Sequence, residues 1–142
     1  MDRIKTLFVC IHNSARSQMA EAFLNALGGD KFSAESAGLE PGKLNPLVVK
    51  SMSEIGIDIS KNKTKDVFDF FIDGKIFDYV ITVCDEASEQ RCPIFPGALK
   101  KMNWSIQDPS SFTGTEAEKL IKIAKVRNAI KLKVEEFIKS IK

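Results

Sequence analysis

The sequence is short of nearly everything that marks a metal centre, a membrane or a nucleic-acid partner. It contains one histidine, His12, and no Cys/His cluster with the spacing of a zinc site, so no metal and no other cofactor is expected. Its three cysteines cannot all pair with one another, and cytosolic thiols are normally kept reduced. Redox or nucleophilic use explains them better than static disulfides. The formal net charge of +2 is too small to point to nucleic acid, and the lysines of the C-terminal segment alternate with acids and apolar residues, as on a solvated helix face. The opening Met1-Asp2-Arg3-Ile4-Lys5 leads into an apolar stretch far shorter than a secretory core or a membrane span, and no lipidation motif is visible. A cytoplasmic protein that avoids membranes is the expectation. Five prolines and eight glycines are too scattered to form a linker, and 142 residues with 44% hydrophobic content suit one compact domain over 1–142. There is no internal repeat and no low-complexity tract.

What is present alternates between two periods. Lys5 to Cys10 reads as a buried strand and Ser17 to Leu27 as an amphipathic helix stopped by Gly28-Gly29. A second strand is expected over Phe32 to Ala37, then a Gly38 to Asn45 loop and a helix beginning at Pro46 and ending before Gly56. Asp58 to Gly74 mixes polar and aromatic residues, with a short helix around Val67, Phe68 and Phe71. Asp78 to Cys84 is apolar and β-branched enough for a central parallel strand, and Lys100 to Trp104 reads as the fourth. A long helix follows from Thr115 to Ile141, its core stripe read as Leu120, Ile121, Ala124, Ile130, Val134, Phe137, Ile138 and Ile141. The pattern predicts an α/β fold: a three-layer αβα sandwich around a four-stranded parallel sheet, with ligands bound beyond the carboxyl ends of the strands.

Cys10, Cys84 and Asp108 all fall at that edge. Cys10 opens the run Cys10-Ile11-His12-Asn13-Ser14-Ala15-Arg16-Ser17, a cysteine followed after five residues by Arg-Ser, between the first strand and the first helix. A loop closed on itself there points backbone N–H groups inward, and the helix N-terminus adds positive potential, so the segment is suited to a tetrahedral oxyanion. Arg16 offers a planar two-donor fork, and the same field favours Cys10 as the nucleophilic thiolate. The substrate-binding set is therefore Ile11, His12, Asn13, Ser14, Ala15, Arg16 and Ser17. Ser14 and Ala15 contribute main-chain N–H groups, Asn13 and Ser17 brace the loop with the Ser17 hydroxyl facing the Cys10 sulfur, and His12 shapes the turn. Asp108-Pro109 reads equally as an ordinary turn dipeptide or as a positioned acid.

The first loop, the segment Glu35-Ser36-Ala37-Gly38 and the dipeptide Asp108-Pro109 resemble the low-molecular-weight tyrosine phosphatase fold, which includes the thioredoxin-coupled arsenate reductases. The resemblance covers nearly the whole chain and implies Asp108 as general acid. A phosphatase needs one catalytic thiol, whereas a reductase of this type needs three in relay, and here Cys84 and Cys92 accompany Cys10. Phosphatases of this fold commonly follow Asp-Pro with tyrosines that pack on the substrate ring; here Ser110 and Ser111 follow.

The resemblance implies arsenate reduction to arsenite. Cys10 forms a thiol–arsenate adduct, Cys84 attacks Cys10 and releases arsenite, and Cys92 then moves the disulfide outward to Cys84–Cys92, where thioredoxin reduces it. Asp85 to Arg91, rich in acids and small polar residues, has the composition of a mobile connection able to carry Cys92. Phosphate and sulfate are expected to compete with arsenate, and the protein is expected to act as a monomer. The alternative is a phosphatase hydrolysing phosphate monoesters through a cysteinyl-phosphate. Glu21, Ser36 and Asp66, with Asn13, resemble positions that in some relatives surround a monovalent cation, but no metal is assigned here.

Overall fold

The computed structural model describes residues 3–84 and 91–141. The expectation for Asp85–Arg91 concerns residues 85–90, which lie outside the described residues. Strand β1 is Ile4–Cys10, followed by α1 (Arg16–Leu27), β2 (Phe32–Gly38), α2 (Pro46–Ser53), α3 (Val67–Ile72), β3 (Tyr79–Thr82), β4 (Lys100–Asn103) and α4 (Glu116–Ser140). The strands form one parallel sheet in the order β2-β1-β3-β4. Chain order reverses direction between β1 and β3, so a topological switch point opens at their carboxyl ends, where such sheets bind ligands.

Helices cover both faces, which is why Leu7 to Cys10 is buried without polar alternation. Phe8, Cys10, Ile81 and Cys84 pack with α1, α2 and α4 through Met19, Phe23, Met52, Ile130 and Phe137. Leu7, Val9 and Val80 point to the opposite face and pack with α3 and with Phe77, Cys92 and Phe95. Local chemistry starts each helix. Asn45 accepts from Leu47 N at 2.9 Å ahead of Pro46, Asp66 accepts from Phe68 N at 2.8 Å, and Thr115 and Glu118 form a reciprocal capping box.

Two expectations are corrected. The third strand ends at Thr82, not Cys84, because its partner β4 ends opposite it at Asn103. Val83 N still donates to Val9 O at 2.8 Å, and Cys84 lies on the chain leaving the sheet. The buried stripe of α4 is Ile123, Val126, Arg127, Ile130, Val134 and Phe137. Ile121 is 61% exposed, and Leu120 and Ala124 are only half-buried. Traced back from Phe137 and Ile130 at three- and four-residue steps, the face passes through Arg127 and Ile123 and leaves Ile121 on the solvent side. Arg127 belongs in the core because its Nη1 donates to Ser51 O at 2.8 Å and to Ser51 Oγ at 3.2 Å. No helix among the described residues is long and apolar enough to cross a membrane.

Candidate active site

The segment after β1 is turned inside out relative to a helix or strand. The carbonyls of Cys10, Ile11, His12 and Ser14 accept from Leu39 N, Glu40 N, Gly42 N and Asn45 N at 2.7 to 3.0 Å. All peptide bonds here are trans, so each outward carbonyl turns the following N–H the other way. The N–H groups of Ile11, His12, Asn13 and Ala15 are thus directed away from the 39–45 segment, the arrangement that a loop binding an oxyanion requires. Asn13 makes the tight corner with φ of 55°, a left-handed conformation that asparagine tolerates. Gly38 lets the loop close over β2: a Cβ there would lie 2.8 Å from Ile11 O and 2.9 Å from Asn13 N.

Cys10 stands at the base of this loop, 2% exposed. Its Sγ lies 2.9 Å from Ser17 Oγ and accepts from Asn13 N at 3.1 Å. Asn13 Nδ2 donates to Ser17 Oγ at 2.7 Å and to Ser36 Oγ at 2.9 Å, so both expected bracing residues are in contact. Arg16 is buried; its Nη1 donates to Ile106 O at 3.1 Å and its Nη2 lies 3.6 Å from Asp108 Oδ2. The other Asp108 oxygen caps the turn at Pro109–Ser111 by accepting from Ser110 N at 3.0 Å. The carboxylate is one-third exposed, so it faces both the guanidinium and solvent. Arg16, from the loop that begins at Cys10, and Asp108, from much later in the chain, are brought together.

The other two thiols are placed differently. Cys84 is fully buried in the apolar cluster that holds Cys10, whereas Cys92 belongs to the cluster on the α3 face. His12 is exposed; its Nδ1–H donates to Glu40 O at 2.9 Å, which fits shaping of the turn. The Glu40 carboxylate pairs with Arg91, whose hydrogen bond and charge hold it below the usual carboxylate range.

Sequence reasoning passed over Gln18. Its Nε2 donates to Asn13 O and Asn13 Oδ1, each at 3.1 Å, and to Lys63 O at 3.0 Å, while its Oε1 accepts from Asn62 Nδ2. A glutamine on the buried face of α1, beside Met19 and Ala20, was the available signal. The cation arrangement does not form. Asp66 is committed to capping α3, and Glu21 Oε1 receives the Ser36 hydroxyl at 2.7 Å and the Lys65 ammonium at 3.3 Å. With the chain's own cation already on that carboxylate, these residues do not fit a further one.

Residues 5–142 match the model of the low molecular weight phosphotyrosine protein phosphatase family. The chain belongs to this family. Within it, an arsenate reductase of Bacillus subtilis (strain 168) is 42% identical over 130 residues, which cover 92% of this chain and 91% of that one. A solved arsenate reductase in an oxidized state superposes with a TM-score of 0.82 at 32% identity, covering 98% of this chain and 99% of that chain. A thioredoxin-dependent arsenate reductase of Corynebacterium glutamicum superposes with a TM-score of 0.63 at 30% identity, covering 94% of this chain and 62% of that chain. The fold is that of the family: an α/β sandwich on a four-stranded parallel sheet, with the Cys-x5-Arg-Ser loop at its switch point.

Proposed function

We propose that the protein is an arsenate reductase, acting as one catalytic domain and as a monomer, with thioredoxin as its reductant. The observation that supports this reading is that Cys84, buried in the cluster that holds Cys10, lies just past the carboxyl end of β3, the strand paired with β1, which Cys10 ends. Arsenate sits against the loop N–H groups and the Arg16 fork, and the Cys10 thiolate attacks arsenic. Asp108 donates a proton to the departing oxygen, which leaves as water and gives a Cys10–arsenic(V) adduct. Cys84 then attacks Cys10 at sulfur. The sulfur–arsenic bond breaks with its electron pair passing to arsenic, so arsenite departs and a Cys10–Cys84 disulfide remains. Cys92 attacks Cys84, Cys10 is released, and the Cys84–Cys92 disulfide is reduced by the thioredoxin dithiol. One arsenate and two thiols become one arsenite, one disulfide and one water.

The family also contains phosphatases, and the same loop serves an aryl phosphate. Ser110 and Ser111 follow Asp108-Pro109, the sole tyrosine, Tyr79, packs on Phe137 at 5.3 Å, and the sole tryptophan, Trp104, packs on Phe8 at 5.6 Å. The aromatic side chain beside the loop is the half-buried Phe112, which lines a hollow with Ser14, Pro109 and Ser110. The test is arsenate-dependent oxidation of NADPH by the purified protein with thioredoxin and thioredoxin reductase, with phosphate replacing arsenate as control. Sustained oxidation with arsenate alone is expected. If neither this system nor glutathione with glutaredoxin turns over, while an aryl phosphate is hydrolysed without reductant, the phosphatase reading replaces this one.

A further inference from the structure

A polar path of fixed direction joins the sulfur of Cys10 to a second anion. The N–H of Lys65 only donates, and it donates to Asn13 Oδ1 at 3.0 Å, beside Gln18 Nε2 at 3.1 Å, which sets the orientation of the Asn13 amide. Both protons of Asn13 Nδ2 are then committed, one to Ser17 Oγ and one to Ser36 Oγ. Ser36, already an acceptor, gives its own proton to Glu21 Oε1 at 2.7 Å. Ser17, also an acceptor, has its single proton left for Cys10 Sγ at 2.9 Å. From Asn13 the hydrogen bonds therefore run outward in two arms, one ending on the Cys10 sulfur and the other on the Glu21 carboxylate.

The two ends are not equally compensated. Arg16, itself paired with Asp108, and the loop N–H groups serve the Cys10 end; among the described residues Cys84 lies buried in the same cluster, and the exposed His12 is turned to Glu40 O. Glu21 is 16% exposed, and its ion pair among the described residues is with Lys65 Nζ at 3.3 Å. Asn13, Ser17 and Ser36 are fully buried, so little solvent screens one anion from the other. We infer that Lys65 is a positioning residue for Cys10: its N–H orients Asn13, and its ammonium neutralises Glu21, so that the second arm keeps its acceptor without opposing the thiolate. This rests on Cys10 as the nucleophile and holds for either reaction of the site.

The experiment compares Lys65→Met, which keeps the N–H and removes the charge, with Lys65→Arg, Glu21→Gln and the double variant Lys65→Met/Glu21→Gln. The readout is alkylation of Cys10 by iodoacetamide at pH 7, a neutral probe insensitive to anion affinity, resolved from Cys84 and Cys92 by peptide mass spectrometry. Lys65→Met is expected to slow alkylation roughly three- to tenfold, with Lys65→Arg close to the unmodified protein. Removing both charges restores the rate to within about twofold, because the uncompensated anion is then gone. A Lys65→Met rate equal to that of the unmodified protein overturns the inference. So does a double variant as slow as Lys65→Met, which reduces Lys65 to a packing role. Arsenate turnover retained by Cys10→Ser overturns the assignment of the nucleophile instead.

Discussion

Gly38→Ala tests whether the loop geometry is what makes Cys10 and Arg16 a site. Gly38 closes β2 opposite Cys10, and its backbone is not in the left-handed region, so alanine suits its conformation. Space is the obstacle. An added Cβ lies 2.8 Å from Ile11 O, 2.9 Å from Asn13 N and 2.9 Å from His12 C, whereas ordinary contacts begin at 3.4 Å. The overlap is therefore about half an ångström against three backbone atoms, none of which swings away like a side chain. Gly38 cannot retreat freely either, because its N–H donates to Lys65 O at 2.7 Å.

The loop must yield, and the peptides that move are those whose N–H groups are directed away from the 39–45 segment. Overpacking of this kind costs about 1–3 kcal/mol of stability. Misplacement of the donors and of Asn13 N at the sulfur should lower kcat/KM roughly ten- to a hundredfold. The assay is arsenate-dependent NADPH oxidation beside thermal unfolding, with inorganic phosphate binding by calorimetry as a direct measure of the anion site. Gly42→Ala is the control, since its nearest neighbour would be His12 Cβ at an ordinary 3.5 Å. If Gly38→Ala keeps both its stability and its kcat/KM within twofold while binding phosphate normally, the packed loop is not the determinant described above.

Cys84→Ser should abolish sustained arsenate turnover while leaving hydrolysis of p-nitrophenyl phosphate at whatever level the unmodified protein shows; undiminished reductase turnover would sink the relay. Acid should loosen the start of α4, because hydrogen bonds from the Thr115 backbone and hydroxyl hold the Glu118 carboxyl below its ordinary value. The sign follows from linkage: a depressed carboxyl stabilises the fold above its unfolded value and loses that contribution as pH falls through the depressed one. Helical signal and melting temperature should thus decline below about pH 4, and Glu118→Gln, which removes the titrating group, should flatten that decline. An unaltered acid limb in Glu118→Gln would show that the cap does not carry it.

The parts of this molecule legible in the sequence are those whose chemistry is local. Cys10 to Ser17 is one unbroken run between a strand and a helix, so spacing alone placed nucleophile, anion loop and guanidinium together. The local brace of that run, Asn13 to Ser17, is legible as well, but its longer supports are not, because each joins residues far apart: Ser36 to Glu21 across 15 positions, Lys65 to Glu21 across 44, Arg16 to Ile106 O across 90. Only the fold brings these within reach. The phase of α4 is hidden in the sequence for a related reason. Leu120, Ile121 and Ala124 offered a plausible apolar stripe, while the true one runs through an arginine, and nothing near Arg127 in sequence announces Ser51 as its partner.

The relay proposed above also asks something of the third cysteine, which lies with the apolar residues of the α3 face while Cys84 lies with those of the other. Cys92 is 5% exposed beside Phe95, itself 3% exposed and set edge-on to Phe77 at 5.5 Å and Phe71 at 5.8 Å. To join Cys84, it gives up that burial. The packing of the α3 face therefore favours the dithiol form and works against the Cys84–Cys92 disulfide by about 1–2 kcal/mol, the scale for burying one small apolar side chain. For a two-electron couple this corresponds to roughly 20–40 mV, making the disulfide easier for a protein dithiol to reduce. Phe95→Ala loosens the dithiol form and should shift the Cys84–Cys92 midpoint to a more negative potential by about that amount. Titration in dithiothreitol redox buffers measures it. A midpoint that does not move, in a variant that still folds and still reduces one equivalent of arsenate, would mean that Cys92 exchanges without leaving its cluster.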